Sequence, residues 1–189
     1  MKSLKKLIFC GEPLLERHLE FVFDMVPDAE VFNTYGPTEA TVCMTSQKMT
    51  INNWKKFVNF GTATLGKSIP SMKITLYGGK TDNEGEIIIS GPQVSDGYWN
   101  SPELTKKSFD GNKYRTGDWA EIKDGNLYFR SRVDRQIKYQ GYRIELGDIE
   151  TVIYSLTGFA AACFVNEEMV VAVVESNEID RNKTLSLLS

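Results

Sequence analysis

Polar side chains around Glu39 have the types and spacing needed to bind a phosphorylated ligand. The run Asn33–Thr41 places hydroxyl groups, one carboxylate and an aromatic ring within nine residues. Hydroxyls and backbone N–H groups at a turn between a strand and a helix can hold phosphate oxygens, and a carboxylate beside them can hold Mg²⁺. An ordinary capped turn is the alternative interpretation of the same residues.

A second stretch, Gly61–Ser68, fits the pattern of the nucleotide-triphosphatase phosphate loop letter for letter. A true phosphate loop follows a buried strand and opens a helix. Here the polar run Asn52–Lys56 comes before it, and an alternating strand pattern follows Pro70. We therefore interpret the stretch as a connecting segment and keep the nucleotide triphosphatase only as an alternative.

The composition narrows the range of partners and compartments. A net charge of −3 argues against nucleic acid or an anionic membrane, which are bound through clustered Lys and Arg. The three cysteines are odd in number and widely spaced, which favours a reducing, cytoplasmic setting. We expect no signal peptide, no membrane insertion and, with His18 as the single histidine, no cluster of histidines around a metal.

The elements that must position these residues change in character along the chain. An apolar run at 4–9, a turn, a helical spacing with Pro13 at its first position and a strand from Glu30 predict a parallel α/β layer in residues 1–60. This layer has too few strands to cover both its faces, so we expect its other partners upstream of Met1. Alternating strands predict an antiparallel, barrel-like section in residues 61–131.

A small α+β domain is predicted for residues 132–189, after a boundary at Ser131–Asp134. Gln136–Lys138 is extended, and the spacing of Leu146, Ile149, Ile153 and Leu156 predicts a helix that ends at Gly158. A hairpin follows, with arms at 160–165 and 169–174 and a turn at 166–168. The predicted fold class is thus α/β plus α+β: a remnant parallel layer, a barrel-like section and a small domain after a hinge.

Four segments occur in the order known from one group of enzymes, the adenylate-forming (AMP-binding) superfamily. They are Asn33–Thr41, which resembles its signature loop; Gly85–Tyr98, which resembles its next motif; Tyr114–Asp118, which is similar to its ribose-binding motif; and Ser131–Glu145, which resembles the hinge motif between its large and small domains. The resemblance covers most of residues 5–155. It implies two half-reactions that use ATP and Mg²⁺: a carboxylate attacks the α-phosphorus and expels pyrophosphate, and a phosphopantetheine thiol then attacks the acyl adenylate.

The resemblance also implies roles for single residues in the nucleotide site. An ionised aspartate only accepts hydrogen bonds, which suits Asp118 to sugar hydroxyls. The expected nucleotide-binding residues are Asn33, Thr34, Tyr35, Gly36, Pro37, Thr38, Asp118 and Arg132, with Thr38 at the α-phosphate and Glu39 as the Mg²⁺ ligand.

The hinge motif carries a second set of implied roles. Asp134 would be the hinge itself. Lys138, Gly141, Tyr142 and Arg143 would face the active site in the thioester-forming arrangement, where a glycine lets the pantetheine arm approach closely. Thr38, Glu39, Lys138 and Arg143 are the expected catalytic residues. A solvated basic strand is the alternative for residues 138–143.

The substrate class rests on Phe9–Glu12 together with the signature loop. These segments are more similar to D-alanine–carrier protein ligases and peptide-synthetase adenylation domains than to acyl-CoA synthetases. Cys10 and Val42 would then line a pocket for a small amino acid such as D-alanine, although a free cysteine can also simply pack in a core. The implied partner is an acidic carrier protein that bears phosphopantetheine.

Two parts of the superfamily pattern have no counterpart in residues 1–189: the Ser/Thr/Gly-rich phosphate loop and the segment with the catalytic lysine. Losing even one preorganised donor costs about 10²–10³ in rate, so we expect little adenylation from this chain alone. The alternatives are a non-catalytic nucleotide-binding or docking module and a relative of acyl-CoA synthetases.

Overall fold

A computed structural model describes residues 4–139, 141–166 and 169–175 of the chain. The chain divides into two compact units, Met1–Val133 and Asp134–Ser189. The domain boundary after residue 131 stays a prediction, and the boundary between the two units follows Val133. Each unit has its own apolar core.

Unit 1 is rich in strands and contains two short helices. In chain order its elements are β1 Lys6–Phe9, α1 Glu16–Met25, β2 Glu30–Tyr35, β3 Thr45–Met49, β4 Val58–Asn59, β5 Thr62–Ala63, β6 Lys67–Ser68, β7 Lys73–Gly78, β8 Glu84–Ser90, α2 Pro102–Ser108, β9 Phe109–Asp110, β10 Lys113–Lys123 and β11 Asn126–Arg132. Short 3₁₀ turns lie at Thr38–Ala40 and Trp54–Phe57.

The first sheet has the strand order β1-β2-β3-β6 and is mixed rather than parallel. Only β1 and β2 run parallel in it, whereas β2–β3 and β3–β6 are antiparallel. A short connection can join antiparallel strands but cannot make the crossover that a parallel pair needs. The loop at 36–44 between β2 and β3 is of this short kind, so the predicted parallel layer is confined to its first strand pair.

Helix α1 covers this sheet through Leu19 and Phe23, and the ring of Phe23 stacks on Trp54 with centroids 6.1 Å apart. His18 is exposed on the same helix. The predicted helix start at Pro13 is wrong, because α1 begins at Glu16. The backbone before the helix pairs instead with the segment at 61–63, through Glu16 N–H to Gly61 O at 2.9 Å and Ala63 N–H to Leu14 O at 2.8 Å.

The second sheet is antiparallel and five-stranded, with the path β11-β10-β8-β7 and with β9 paired to β10. The residues that the structure describes form an open sheet and not a closed barrel. Its core includes Ile87, Ile89 and Ala120, against which Tyr35 and Met44 from the end of the first sheet pack. The signature loop is therefore packed on the second sheet, which brings its residues close to β10.

Unit 2 contains β12 Gln136–Tyr139, β13 Tyr142–Glu145, α3 Leu146–Thr157, β14 Ala161–Asn166 and β15 Met169–Val174. The predicted helix is confirmed, and Gly158 follows it with a φ of 75°. Leu146 and Ile153 are buried with Cys163, but Leu156 is exposed and does not belong to the apolar face. The hairpin β14–β15 is confirmed, and residues 167–168 of its predicted turn lie outside the described residues.

None of the helices in the described residues combines the length and the apolar character that crossing a membrane requires. The described residues also contain no group of three or more His, Cys, Asp or Glu side chains arranged to hold a metal ion.

The stretch Gly61–Ser68, which fits the phosphate-loop pattern, has a structural role. It contains β5 and β6, and an antiparallel strand, β7, follows it where a phosphate loop would need a helix. Gly66 has a φ of 88°, and a Cβ placed there would lie 2.4 Å from the carbonyl carbon of Ser46. The glycine is thus required by a close backbone approach.

Replacing Lys67, which is exposed on β6, should therefore leave nucleotide binding unchanged. In a true phosphate loop the lysine reaches the β- and γ-phosphates, so Lys67→Ala would remove most ATP binding there. We expect the ATP dissociation constant of Lys67→Ala, measured by calorimetry on the intact gene product, to equal that of the wild type. A large loss of ATP affinity in Lys67→Ala would restore the phosphate-loop interpretation.

Candidate functional site

The signature loop leaves β2 at Tyr35 and folds tightly back on itself. Val42 N–H donates to Pro37 O at 3.0 Å, and Met44 N–H donates to Tyr35 O at 2.9 Å. Gly36 has no room for a side chain, because a Cβ there would lie 2.6 Å from Val42 O. The fold-back leaves Thr38 exposed and buries Glu39.

Asp118 lies where β10 departs from regular pairing. The register with β8 shifts between Arg115 and Trp119, and the register with β11 shifts between Trp119 and Ala120. Such irregularities bend a strand and change the direction of its side chains. Here they accompany a buried carboxylate, since Asp118 is 7% exposed.

Three of the four motif segments meet at Asp118. The hydroxyl of Tyr35 donates to Asp118 Oδ2 at 2.6 Å, and the Arg132 guanidinium donates to Asp118 Oδ1 at 2.9 Å. Burial raises the pKa of Tyr35 well above its ordinary value, and the charge of Asp118 raises this pKa further. Tyr35 is therefore a neutral phenol that donates to the Asp118 carboxyl group, which also accepts from a guanidinium.

Glu86 on β8 holds the irregular part of β10 in place. Its Oε1 accepts from Gly117 N–H at 3.1 Å, and its Oε2 accepts from Arg115 Nη2 at 2.5 Å. Thr116 adds two further bonds, because its hydroxyl donates to Ile87 O at 2.8 Å and accepts from Asp118 N–H at 3.0 Å. The backbone around Asp118 is thereby fixed on both sides.

Glu39 is contacted by the loop that follows β8. The Tyr98 hydroxyl donates to Glu39 Oε1 at 2.7 Å and lies 3.4 Å from the Tyr114 hydroxyl. Ser95 N–H donates to Glu39 O at 2.9 Å. Glu39 therefore lies in a hydrogen-bonded group that extends to Tyr114, four positions before Asp118 on β10.

The remaining residues predicted for nucleotide and substrate have well-defined surroundings. Asn33 is buried, and its Nδ2 donates to Thr64 O at 2.8 Å. The Thr34 hydroxyl donates to Phe9 O at 2.9 Å and so ties β2 to the end of β1. Cys10 and Val42, the predicted pocket residues, are exposed neighbours, since the Cys10 thiol lies 3.8 Å from Val42 O.

Asp134 lies between two residues that are each bonded within their own unit. On the unit 1 side, Val133 N–H donates to Gly117 O at 2.7 Å. On the unit 2 side, the Arg135 guanidinium binds Glu150 at 2.8 and 2.7 Å and donates to Cys163 O at 2.6 Å. Asp134 itself, the predicted hinge residue, accepts from Gln136 N–H through its Oδ1 at 3.2 Å.

The four residues predicted for the thioester-forming arrangement belong to the β12–β13 hairpin of unit 2. Lys138 pairs with Arg143 across the hairpin, and Tyr142 is 72% exposed. Gly141 has a φ of 82°, with nothing within 4 Å of the position of an added Cβ. The hairpin thus carries two exposed cations on its paired strands, and an exposed aromatic ring and a glycine at and beside its turn.

Glu86 and Tyr98 lie in the second motif segment, but the sequence predicts no individual role for either side chain. Glu86 is a charged residue inside a strand of apolar neighbours and is 6% exposed, which is a weak signal of a structural carboxylate. Tyr98 lies 59 positions from Glu39, and no local pattern links such distant residues.

The fold resembles solved adenylation domains. A Vibrio cholerae adenylation domain, AlmE, in complex with glycyl-adenosine-5'-phosphate superposes with a TM-score of 0.82 at 27% identity over 99% of this chain and 39% of the other. PA1221, described as a peptide-synthetase (NRPS) protein containing adenylation and PCP domains, superposes with a TM-score of 0.73 at 26% identity over 91% of this chain and 38% of the other. Mixed and antiparallel sheets followed by a small α+β unit are therefore the adenylation-domain architecture.

The chain belongs to the AMP-binding enzyme family, whose sequence profile matches residues 1–99. The D-alanine–D-alanyl carrier protein ligase of Listeria monocytogenes is 42% identical over 158 residues, which are 78% of this chain and 30% of the relative. The ligase of the same name from Staphylococcus haemolyticus is 39% identical over 181 residues, which are 94% of this chain and 34% of the relative. The chain spans about a third of the length of these curated relatives.

Proposed function

We propose that this chain forms part of an ATP-dependent ligase that activates an amino acid as its aminoacyl adenylate. The ligase then transfers the aminoacyl group to the phosphopantetheine thiol of a carrier protein. The observation that supports this most is the hydrogen-bonded group of Tyr35, Asp118 and Arg132. It joins the signature loop, the ribose-binding motif and the start of the hinge motif in one place.

The chemistry of this group suits a nucleoside. A carboxylate oxygen has two lone pairs, so Asp118 can accept from both ribose hydroxyls while it keeps its protein donors. Arg132 places a positive charge directly beside the buried carboxyl group. The neighbouring loop residues 33–37 would hold the adenosine against this group.

The phosphate end of the nucleotide would lie at the turn Thr38–Ala40. Thr38 is exposed and offers its hydroxyl to the α-phosphate, and Glu39 supplies the carboxylate oxygen that Mg²⁺ prefers. This donor fits Mg²⁺, which proteins usually bind through one or two carboxylates together with substrate phosphates. The bound ion would neutralise phosphate charge during the displacement of pyrophosphate.

The substrate class follows from the relatives and from the pocket residues. Two relatives are named as D-alanine–D-alanyl carrier protein ligases, and a structural neighbour holds glycyl-adenosine-5'-phosphate. The Cys10 thiol lies beside the backbone carbonyl of Val42, and two such neighbouring residues are compatible with a small amino acid. We therefore propose D-alanine as the first candidate substrate and an acidic carrier protein as the partner.

The transfer step would use the hairpin of unit 2. Lys138 and Arg143 carry positive charge on the exposed strands of this hairpin, which complements an acidic carrier protein and the phosphate of its pantetheine arm. Gly141 and Tyr142 would border the path of that arm. Asp134 would provide the change of direction between the two half-reactions.

The experiment that tests this function is amino-acid-dependent exchange of pyrophosphate into ATP by the intact gene product. D-alanine, L-alanine and glycine are tried first. We expect exchange with D-alanine to exceed exchange with L-alanine, and the product to load a phosphopantetheine-bearing carrier protein. A protein that binds ATP but exchanges no pyrophosphate with any amino acid would instead be a nucleotide-binding module without this chemistry.

A further inference from the structure

The loop after β8 holds the Thr38–Ala40 turn at three points. Thr41 Oγ1 donates to Gln93 O at 3.0 Å, Ser95 N–H donates to Glu39 O at 2.9 Å, and the Tyr98 hydroxyl donates to Glu39 Oε1 at 2.7 Å. In the first two bonds the acceptor is a backbone carbonyl oxygen. The third acts on the carboxylate itself, so Tyr98 does something that the other contacts do not.

Tyr98 is itself held from several sides. Its backbone N–H donates to Thr105 Oγ1 at 2.9 Å, and its ring meets Phe109 edge to face with centroids 5.3 Å apart. Gly97 allows this close packing, because a Cβ there would lie 2.4 Å from Thr105 Cγ2. The hydroxyl is therefore presented to Glu39 by a ring whose position is set independently of Glu39.

The direction of the bond follows from the groups themselves. A carboxylate oxygen accepts, so the Tyr98 hydroxyl is the donor to Glu39 Oε1. The terminal torsion angle of a glutamate side chain has a broad distribution on its own. A hydrogen-bond donor held in place by other residues narrows that distribution.

We infer that Tyr98 is a positioning residue that orients the Glu39 carboxylate for the divalent cation bound with ATP. The inference rests on the proposed function and adds one residue to it. Hydrogen-bond partners of metal-binding carboxylates typically contribute 10–100-fold, as an order of magnitude, to metal affinity or activity. Tyr98 would contribute through Glu39, without contacting nucleotide or cation.

The test compares Tyr98→Phe with Tyr77→Phe in the intact gene product. Both changes remove one hydroxyl, and both keep the ring; Tyr77 lies on β7 and is 65% exposed. Calorimetry measures ATP binding with Mg²⁺ and with EDTA. We expect Tyr98→Phe to weaken Mg²⁺-dependent binding by about 10–100-fold with no change in EDTA, and Tyr77→Phe to match the wild type in both.

A double-mutant cycle with Glu39→Gln separates positioning from a general structural effect. If Tyr98 acts through Glu39, Tyr98→Phe adds no further loss of Mg²⁺-dependent binding in the Glu39→Gln background. Equal losses in both backgrounds, or equal losses with and without Mg²⁺, would overturn the inference. Wild-type protein without amino-acid-dependent exchange refutes the proposed function, whereas normal exchange with wild-type Mg²⁺ dependence in Tyr98→Phe refutes the role of Tyr98 alone.

Discussion

Asp118→Asn should reduce kcat/KM for ATP in the exchange reaction by about 10²–10³-fold, because hydrogen bonds to a charged acceptor contribute about 1.5–3 kcal/mol each and about 1.4 kcal/mol is a factor of ten. The amide keeps the size of the side chain but turns one acceptor into a donor. That donor would face either the Tyr35 hydroxyl or the Arg132 guanidinium, the two groups that now donate to Asp118. The proposed ribose contact would be made both before and during the reaction, so the loss should appear mainly in KM.

Asp124→Asn is the matched control for this prediction. Asp124 is exposed in the β10–β11 turn with a φ of 52°, a conformation that asparagine also tolerates. We expect Asp124→Asn to show wild-type KM and kcat. A KM for ATP in Asp118→Asn equal to that of Asp124→Asn would remove Asp118 from the nucleotide site.

The sequence could predict these segments because each carries residues that end a strand or disturb its regular pairing. Tyr35 ends β2, and Asp118 sits at a disturbance of β10 that glycine and threonine accompany. Glycine, threonine and aspartate in such positions leave a local signal. The bond between Tyr35 and Asp118 leaves none, since the two residues are 83 positions apart.

Where the structure departs from the fold predicted from the sequence, long-range pairing is again the reason. Pro13 suits a helix start locally, but the backbone at 14–16 pairs with the segment at 61–63 and delays the helix to Glu16. Alternating strands also predict antiparallel pairing without saying whether the outer strands close on each other. The open sheet from β11 to β7 therefore had to come from the structure.

The contributions of Glu86 and Tyr98 show a third limit of sequence patterns. Both are polar side chains whose roles depend on what lies opposite them in space, Gly117 for Glu86 and Glu39 for Tyr98. A motif identifies residues that approach a ligand, whereas residues that hold those residues are scattered along the chain. The structure adds these supporting residues, and they are where new variants are most informative.

Asp134→Pro is expected to change the balance between the two half-reactions. Val133 is bonded within unit 1 and Arg135 within unit 2, so a rotation between the units would pass through the dihedral angles of Asp134. Proline fixes φ near about −65° and restricts the preceding residue to extended conformations. A backbone restricted in this way can serve one arrangement of the units well and the other poorly.

The expected size of this effect follows from populations. If proline lowers one arrangement to about one per cent, the half-reaction that needs it slows by about 10²-fold while the other continues. Pyrophosphate exchange measures the first half-reaction, and loading of the carrier protein from preformed aminoacyl adenylate measures the second. Asp134→Ala also loses the bond to Gln136 N–H but keeps its backbone freedom, so it should retain both activities. For each half-reaction, the rate in Asp134→Pro is divided by the rate in Asp134→Ala. If the two ratios are equal, the rotation between the units does not pivot at this residue.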